Sequence, residues 1–142
     1  MNKPERFVKG LGEASLRVQD LDAMRRFYEE VVGLEVMRLE AGFVFFRVAD
    51  GYGGHPQVIG LFTADNKDFK DRSVEVSAEA TTLHHLAFNV ALDDFESERR
   101  RLEARGLKVE ATTHAWLHVR SLYFPDPEGN LLEFVARDDS VQ

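Results

Sequence analysis

The sequence predicts an α+β protein built from two βαβββ modules. Two observations carry the prediction. Each half of the 142-residue chain reads as strand, helix and three further strands, and the halves match at a nearly constant offset. Val18 and Val90 end corresponding strands 72 residues apart, and Gly33 and Gly106 end corresponding helices 73 apart. Ile59-Gly60-Leu61 falls on Leu132-Glu133-Phe134 with the same offset of 73. Repeated units bury an exposed face against a neighbouring copy. Two curved sheets facing each other, with both helices outside, would therefore enclose a cleft.

Residues 1–10 are polar and read as a loose arm, followed by a first module over 11–62. Glu13–Val18 alternates, with Ala14, Leu16 and Val18 on one face and Glu13, Ser15 and Arg17 on the other, as in a half-buried strand. Asp20 can cap a helix in which Leu21, Met24, Phe27, Tyr28, Val31 and Val32 recur at helical spacing, with Gly33 closing it. Strands follow at Glu35–Leu39, Gly42–Val48 and Gln57–Phe62, the last two separated by the glycine-rich turn Asp50–Pro56. The polar stretch 63–82 reads as a connector, with a short strand at Val74–Val76. A second module spans 83–136: strand His85–Val90, helix Leu92–Arg105 ended by Gly106, then strands Leu107–Ala111, Leu117–Phe124 and Asn130–Val135, and a tail over 137–142.

Composition narrows the chemistry. The absence of cysteine removes disulfides, thiolate catalysis and Cys-type zinc sites, and fits a cytoplasmic protein. A metal would have to use His, Asp, Glu or Gln, which suits Mn, Fe, Co, Ni, Zn or Mg more than copper(I). A net charge of −7 argues against a nucleic-acid partner, and no segment is long and apolar enough to span a membrane. The N-terminus, MNKPERFVKG, lacks an apolar signal core.

One residue breaks the hydrophobic pattern. Glu133 lies inside the run Leu131-Leu132-Glu133-Phe134-Val135, and a carboxylate is seldom buried unless paired or metal-bound. The repeat makes Glu13 equivalent to His85 and Gly60 equivalent to Glu133. Glu13, His85 and Glu133 can each ligate a metal, and alternation aims Glu133 away from the helix side. One nitrogen and two oxygens suit a hard or borderline divalent cation, with coordination positions left open. A lone histidine would read as a hydrogen-bonded core residue, and a lone Glu13 as a strand-edge charge; their equivalence favours the metal reading. Tyr123 shares the inward parity of Ser121 and is equally a pocket-lining phenol or a packed sheet tyrosine. His118 and Arg120 lie just upstream. Arg120 could hold an anionic substrate group, although a solvated strand-edge charge is the commoner role. His84 has the opposite parity to His85 and is expected on the helix side or in solvent. His55 and His114 are expected exposed in turns, and Arg99-Arg100-Arg101 on a salt-bridged helix face.

The runs LRVQDLDAMRRFYEEVVGLEV, LHHLAFNV and SLYFPDPEGNLLEFV resemble the vicinal oxygen chelate superfamily, which includes glyoxalase I, extradiol dioxygenases, fosfomycin-resistance thiol transferases and bleomycin-binding proteins. The resemblance covers roughly residues 11–136. It implies the fold of that superfamily and metal ligands at Glu13, His85 and Glu133. Extradiol dioxygenases usually have His at the position of Glu13, and glyoxalase I-like proteins a fourth ligand at the position of Gly60. The resemblance implies a metal-dependent lyase, isomerase or dioxygenase: one divalent cation would bind two neighbouring oxygens of a small substrate, with Glu133 or Glu13 as base and Tyr123 lining the substrate pocket. Arg120 and His118 are the further substrate candidates, read from their place just upstream of Tyr123 should the loop from Thr112 close over the cleft. A metal-free drug-binding protein of the bleomycin-resistance type is the alternative. A thiol transferase ranks lower, because nothing in the chain marks a thiol-cofactor site. The resemblance also implies a homodimer.

Overall fold

The computed structural model of the chain describes residues 6–66 and 82–142. The expected strand at Val74–Val76 and most of the 63–82 connector lie outside the described residues. The chain divides into two compact units, Met1–Val76 and Ser77–Gln142. Among the described residues each holds one four-stranded sheet, and the α+β class follows from the sheets and their helices.

In the first unit the strands are β1 (Glu13–Val18), β2 (Glu35–Glu40), β3 (Phe43–Ala49) and β4 (Gln57–Thr63), in the order β1-β4-β3-β2. β1 runs parallel to β4, and the other pairs are antiparallel. Between β1 and β2 lies α1 (Leu21–Arg26), continued by a π-helical turn over Phe27–Val32. Asp20 caps it: its carboxylate accepts from the Ala23 N–H at 3.0 Å, satisfying a donor left free at a helix start. Gly33 ends it at φ 87°, where a side chain would be strained, and the Gly33 and Leu34 N–H groups both donate to the Tyr28 carbonyl. Met24, Phe27, Tyr28 and Val31 are buried with Val18, Val44, Phe46, Ile59 and Leu61, so the core of this unit lies between helix and sheet.

The second unit repeats the plan. Its strands are β5 (Leu86–Asn89), β6 (Glu110–His114), β7 (Val119–Pro125) and β8 (Leu131–Arg137), in the order β5-β8-β7-β6, with β5 parallel to β8. A 3-10 turn at Leu92–Asp94 leads into α2 (Phe95–Ala104). Phe95 and Leu102 are buried with Phe88, Leu122, Phe124, Leu132, Phe134 and Ala136, which form its core. Arg99 pairs with Glu103 and Arg101 with Glu98 on the helix surface. The turn between β7 and β8 is built by Asp126, whose carboxylate accepts from the backbone N–H groups of Glu128 and Asn130 and from the Asn130 amide; Gly129 takes φ 85°.

Two expected strands are corrected. The sequence places one at Leu107–Ala111, but β6 begins at Glu110. Leu107 belongs to the end of α2: its N–H donates to the Leu102 carbonyl while that of Gly106 donates to Glu103, and Gly106 takes φ 84°. A backbone engaged in that C-terminal cap is unavailable to the sheet. The next strand begins at Val119 rather than Leu117, because Ala115–Leu117 forms a 3-10 turn that His118 ends at φ 53°.

Candidate functional site

On the second unit's sheet, alternation sends Leu132, Phe134 and Ala136 into the core and Glu133 to the opposite face. Glu133 pairs in register with Ala87 of β5 and with Tyr123 of β7. It is 6% exposed, and its carboxylate is partnered on both oxygens. The Ser121 hydroxyl, itself fully buried, donates to Oε1 at 2.5 Å, and His85 Nε2 lies 3.2 Å from Oε2. The sequence therefore identifies the buried acid; the β7–β8 register puts Ser121, two residues from Tyr123, on the same face, and His85 reaches it from just before β5.

The cluster extends on both sides. His84 Nδ1 lies 2.8 Å from His85 Nδ1, with the two rings edge to face. Tyr123 stands beside His85, ring centroids 6.1 Å apart, and its hydroxyl lies 2.8 Å from His114 Nε2. Burial raises the Tyr123 phenol above the ordinary tyrosine range; the Glu133 charge and a hydrogen bond to Glu133 act the same way, and a bond to Ser121 opposes them. The phenol thus stays protonated at neutral pH and serves as a donor.

His84 and His114 are the residues that sequence reasoning missed. His84 is exposed, as expected, but it is bonded to His85 because both precede β5, where strand parity does not yet apply. His114 is not an exposed turn residue. The later start of β6 makes it that strand's last residue, half-buried against Tyr123. The signal for it lay in Glu110–His114, whose polar alternation lacks the apolar residues that mark a strand.

His118 and Arg120 face the C-terminal tail. His118 Nδ1 meets the Val141 carbonyl at 2.7 Å, and Arg120 Nε donates to the Asp138 carboxylate at 2.6 Å. Arg120 has the parity opposite to Ser121 and Tyr123 on β7. Glu13 is in the first unit, exposed, and its carboxylate accepts from the Ser15 hydroxyl at 2.5 Å. Gly60 pairs there with Ser15 and Phe45, and the rings of Phe43, Phe45 and Phe62 contact one another around it. A Cβ at Gly60 would fall 2.5 Å from Ser15 Oγ and 3.0 Å from the Phe45 ring. A separate cavity of about 630 Å³ in the first unit, lined by Phe7, Lys9, Asp50, Tyr52, His55 and Gln57 among others, includes none of the residues singled out as metal or substrate ligands.

Two donors in the second unit, His85 Nε2 and Glu133 Oε2, are spaced as neighbouring ligands of one divalent cation would be. Adjacent ligands of a cation with bonds of about 2.1 Å lie about 3 Å apart, and the His85 Nε2 to Glu133 Oε2 separation is 3.2 Å. Those two atoms could flank one ion with Ser121 still holding the other carboxylate oxygen. Among the described residues, no three His, Asp or Glu side chains are gathered into a metal-holding group.

Comparison with known proteins identifies the fold's relatives. A family model described as Glyoxalase/Bleomycin resistance protein/Dioxygenase superfamily matches residues 10–134. The chain is 25% identical over 130 residues to the metallothiol transferase FosB of Lysinibacillus sphaericus, covering 89% of this chain and 82% of that protein. An integron cassette protein from the mobile metagenome of the Halifax Harbour sewage outfall superposes with a TM-score of 0.70 at 27% identity, over 91% of this chain and 99% of the other. Lactoylglutathione lyase from Agrobacterium tumefaciens superposes with a TM-score of 0.65, also at 27% identity, over 94% and 96%. With a family match spanning both modules, the chain belongs to the glyoxalase/bleomycin resistance protein/dioxygenase superfamily.

Proposed function

We propose that the protein is a metal-dependent enzyme of the glyoxalase or dioxygenase type, acting on a small molecule with vicinal oxygens. The observation that carries the reading is the buried Glu133 carboxylate set against His85, 3.2 Å from nitrogen to oxygen, with the Tyr123 phenol beside them. His85 and Glu133 would hold the cation. When bound, a divalent cation such as Mn, Fe, Co, Ni or Zn supplies Lewis-acid polarisation of neighbouring substrate oxygens.

The protein's own groups do the rest. Ser121 fixes one Glu133 oxygen and leaves the other directed at His85. Tyr123, protonated at neutral pH, donates a hydrogen bond to an oxygen that gains charge in the transition state. His114 holds that phenol from the far side. A metallothiol transferase and a lactoylglutathione lyase among the relatives support metal use and small-molecule chemistry.

Stripped protein reloaded with each of Mn, Fe, Co, Ni and Zn is expected to bind one of them stoichiometrically by calorimetry and elemental analysis. His85→Ala should lower that affinity by at least a hundredfold. Absence of stoichiometric binding by every metal, with no effect of His85→Ala, would remove the reading. Oxygen uptake with catechols and a lactoylglutathione assay then separate oxidative from lyase chemistry. The second reading, a metal-free binder of a cationic drug, is favoured by the Phe43–Phe45–Phe62 cluster and the net charge of −7. A thermal-shift panel that responds to drugs and not to metals would select it.

A further inference from the structure

We propose that the open cavity of the first unit is a binding site for small aromatic anions, in which Phe7, Leu11 and Tyr52 receive the ring and Lys9 receives the charge. The inference stands apart from the metal reading above and uses none of its residues.

The cavity lies where the chain before β1 meets the loop between β3 and β4. Its lining includes Gly12 just before β1, Asp50 just after β3 and Gln57 at the start of β4, so it sits at the end of the sheet and not on the face around Gly60. Its volume is about 630 Å³, within the range of ligand pockets, roughly 300–1,000 Å³. Both walls are anchored by backbone. The Gly12 carbonyl accepts from the Val58 N–H at 2.9 Å, which ties the arm to β4. The loop turns back on itself so tightly that a Cβ at Gly51 would overlap the His55 carbonyl oxygen, and only glycine fits there. The His55 N–H donates to the Tyr52 carbonyl at 3.2 Å, and a Cβ at Gly12 would meet the His55 ring at 3.9 Å, so loop and arm stand side by side.

The lining defines the ligand. Phe7, Leu11 and Tyr52 are 74%, 71% and 70% exposed. One exposed apolar side chain is ordinary, but three around a single concavity form a surface that a ligand can cover. Phe7 and Tyr52 are aromatic and His55 adds a third flat ring, which suits a planar ligand. Charge decides the rest. The Asp50 carboxylate is balanced by Arg47, whereas Lys9 is in no ion pair among the described residues. The described lining thus leaves one positive charge without a partner, in a chain whose net charge is −7. That point attracts an anion and repels a cation. The Lys9 ammonium, the Gln57 amide and the Tyr52 hydroxyl can all donate to its oxygens. An aryl carboxylate meets both the apolar and the charged requirement.

The test titrates the full chain, without added metal, with three probes that share one ring: 2-naphthoate, 2-naphthamide and 2-naphthylmethylammonium. Proton–nitrogen NMR locates the binding, because Gly10, Gly12 and Gly51 line the cavity and glycine amides resonate apart from most others. 2-Naphthoate is expected to shift those three signals saturably. It should bind about two- to fivefold more tightly than the amide, the range of a solvent-exposed ion pair, and the ammonium should bind most weakly. Lys9→Ala should abolish the preference for acid over amide, and Lys9→Arg should keep it. Tyr52→Ala should weaken acid and amide by the same factor, because the ring is common to both. Absence of a saturable shift at these glycines, or shifts confined to the second unit, would overturn the proposal. So would an ammonium that binds as tightly as the acid, or a preference for the acid that survives Lys9→Ala. Because no metal is present, the result is the same whether or not His85 and Glu133 hold a cation.

Discussion

The two sheets have one plan and two different fillings. Both place a parallel strand beside the last strand of the unit, in the orders β1-β4-β3-β2 and β5-β8-β7-β6. Both bury aliphatic and aromatic residues toward their helix. On the face away from the helix they diverge. In the first unit Gly60 sits between Ser15 and Phe45, with Phe43 and Phe62 beside it. In the second unit Glu133 sits between Ala87 and Tyr123, with Ser121 and His85 on its oxygens. One register thus supports an aromatic face around a glycine in one unit and a polar face around an acid in the other. The helix side specifies the fold, and the other side is free to specify chemistry.

The first way to break the comparison is on the shared side. Phe46 of β3 and Phe124 of β7 are both essentially inaccessible. Phe46→Ala and Phe124→Ala should each cost about 3–5 kcal/mol by urea denaturation. Costs that differ severalfold would show that the helix faces are not equivalent. The opposite faces give a smaller, asymmetric effect. Gly60→Ala should destabilise by roughly 1–3 kcal/mol, because the new Cβ meets Ser15 Oγ and the Phe45 ring and the rings must move. A neutral Gly60→Ala would mean that the aromatic face has slack, and that the glycine is not needed for packing.

The ends of the helices sharpen the equivalence. Gly33 and Gly106 take φ 87° and 84°, and neither would bring a Cβ within 4 Å of another group. The penalty for Gly33→Ala and Gly106→Ala is therefore conformational alone, roughly 1–2 kcal/mol each, measured by the shift of the urea midpoint at constant slope. Unequal losses at these matched positions would show that the π-helical turn before Gly33 relaxes differently from the regular end of α2.

These matched positions also show what sequence could reveal. The repeat was legible because glycines at helix ends and period-two alternation are backbone requirements. Those requirements survive divergence of the remaining residues. Glu133 was legible for the same reason: an acid at a position with fixed parity has a known direction. His84 and His85 lie two residues and one residue before β5 starts, where no alternation constrains the ring, so their contact could not be read. His114 was hidden because Leu107 and Val109 imitate a strand, while the helix cap claims Leu107 and sheet pairing begins only at Glu110. The polar residues Glu110–His114, which do pair with β7, carry no apolar signal. Local propensity lost to tertiary pairing there.

The smallest expected effect lies where the chain leaves each sheet. Arg17 of β1 donates to the carbonyls of Ala64 and Asn66 just beyond β4, at 3.2 and 3.0 Å, and neither acceptor titrates. Beyond β8 the corresponding tie is a carboxylate. Asp138 accepts from the Ser140 hydroxyl and backbone N–H and from Arg120, and these bonds, in that order, hold it below the usual carboxylate range. A pKa lowered by folding gives stability that is present in full above the unfolded value, about 3.9 for an aspartate. It is lost as pH falls through the native value. The stability difference between the parent chain and Asp138→Asn should therefore be constant from neutral pH down to about pH 5 and shrink below about pH 4. Arg17→Ala, compared in the same way, should show a difference that does not depend on Asp138. A parent-to-Asp138→Asn gap that stays constant into strong acid would show that the tail is held by Arg137 and backbone contacts instead. The exits of the two units would then be alike in chemistry as well as in place.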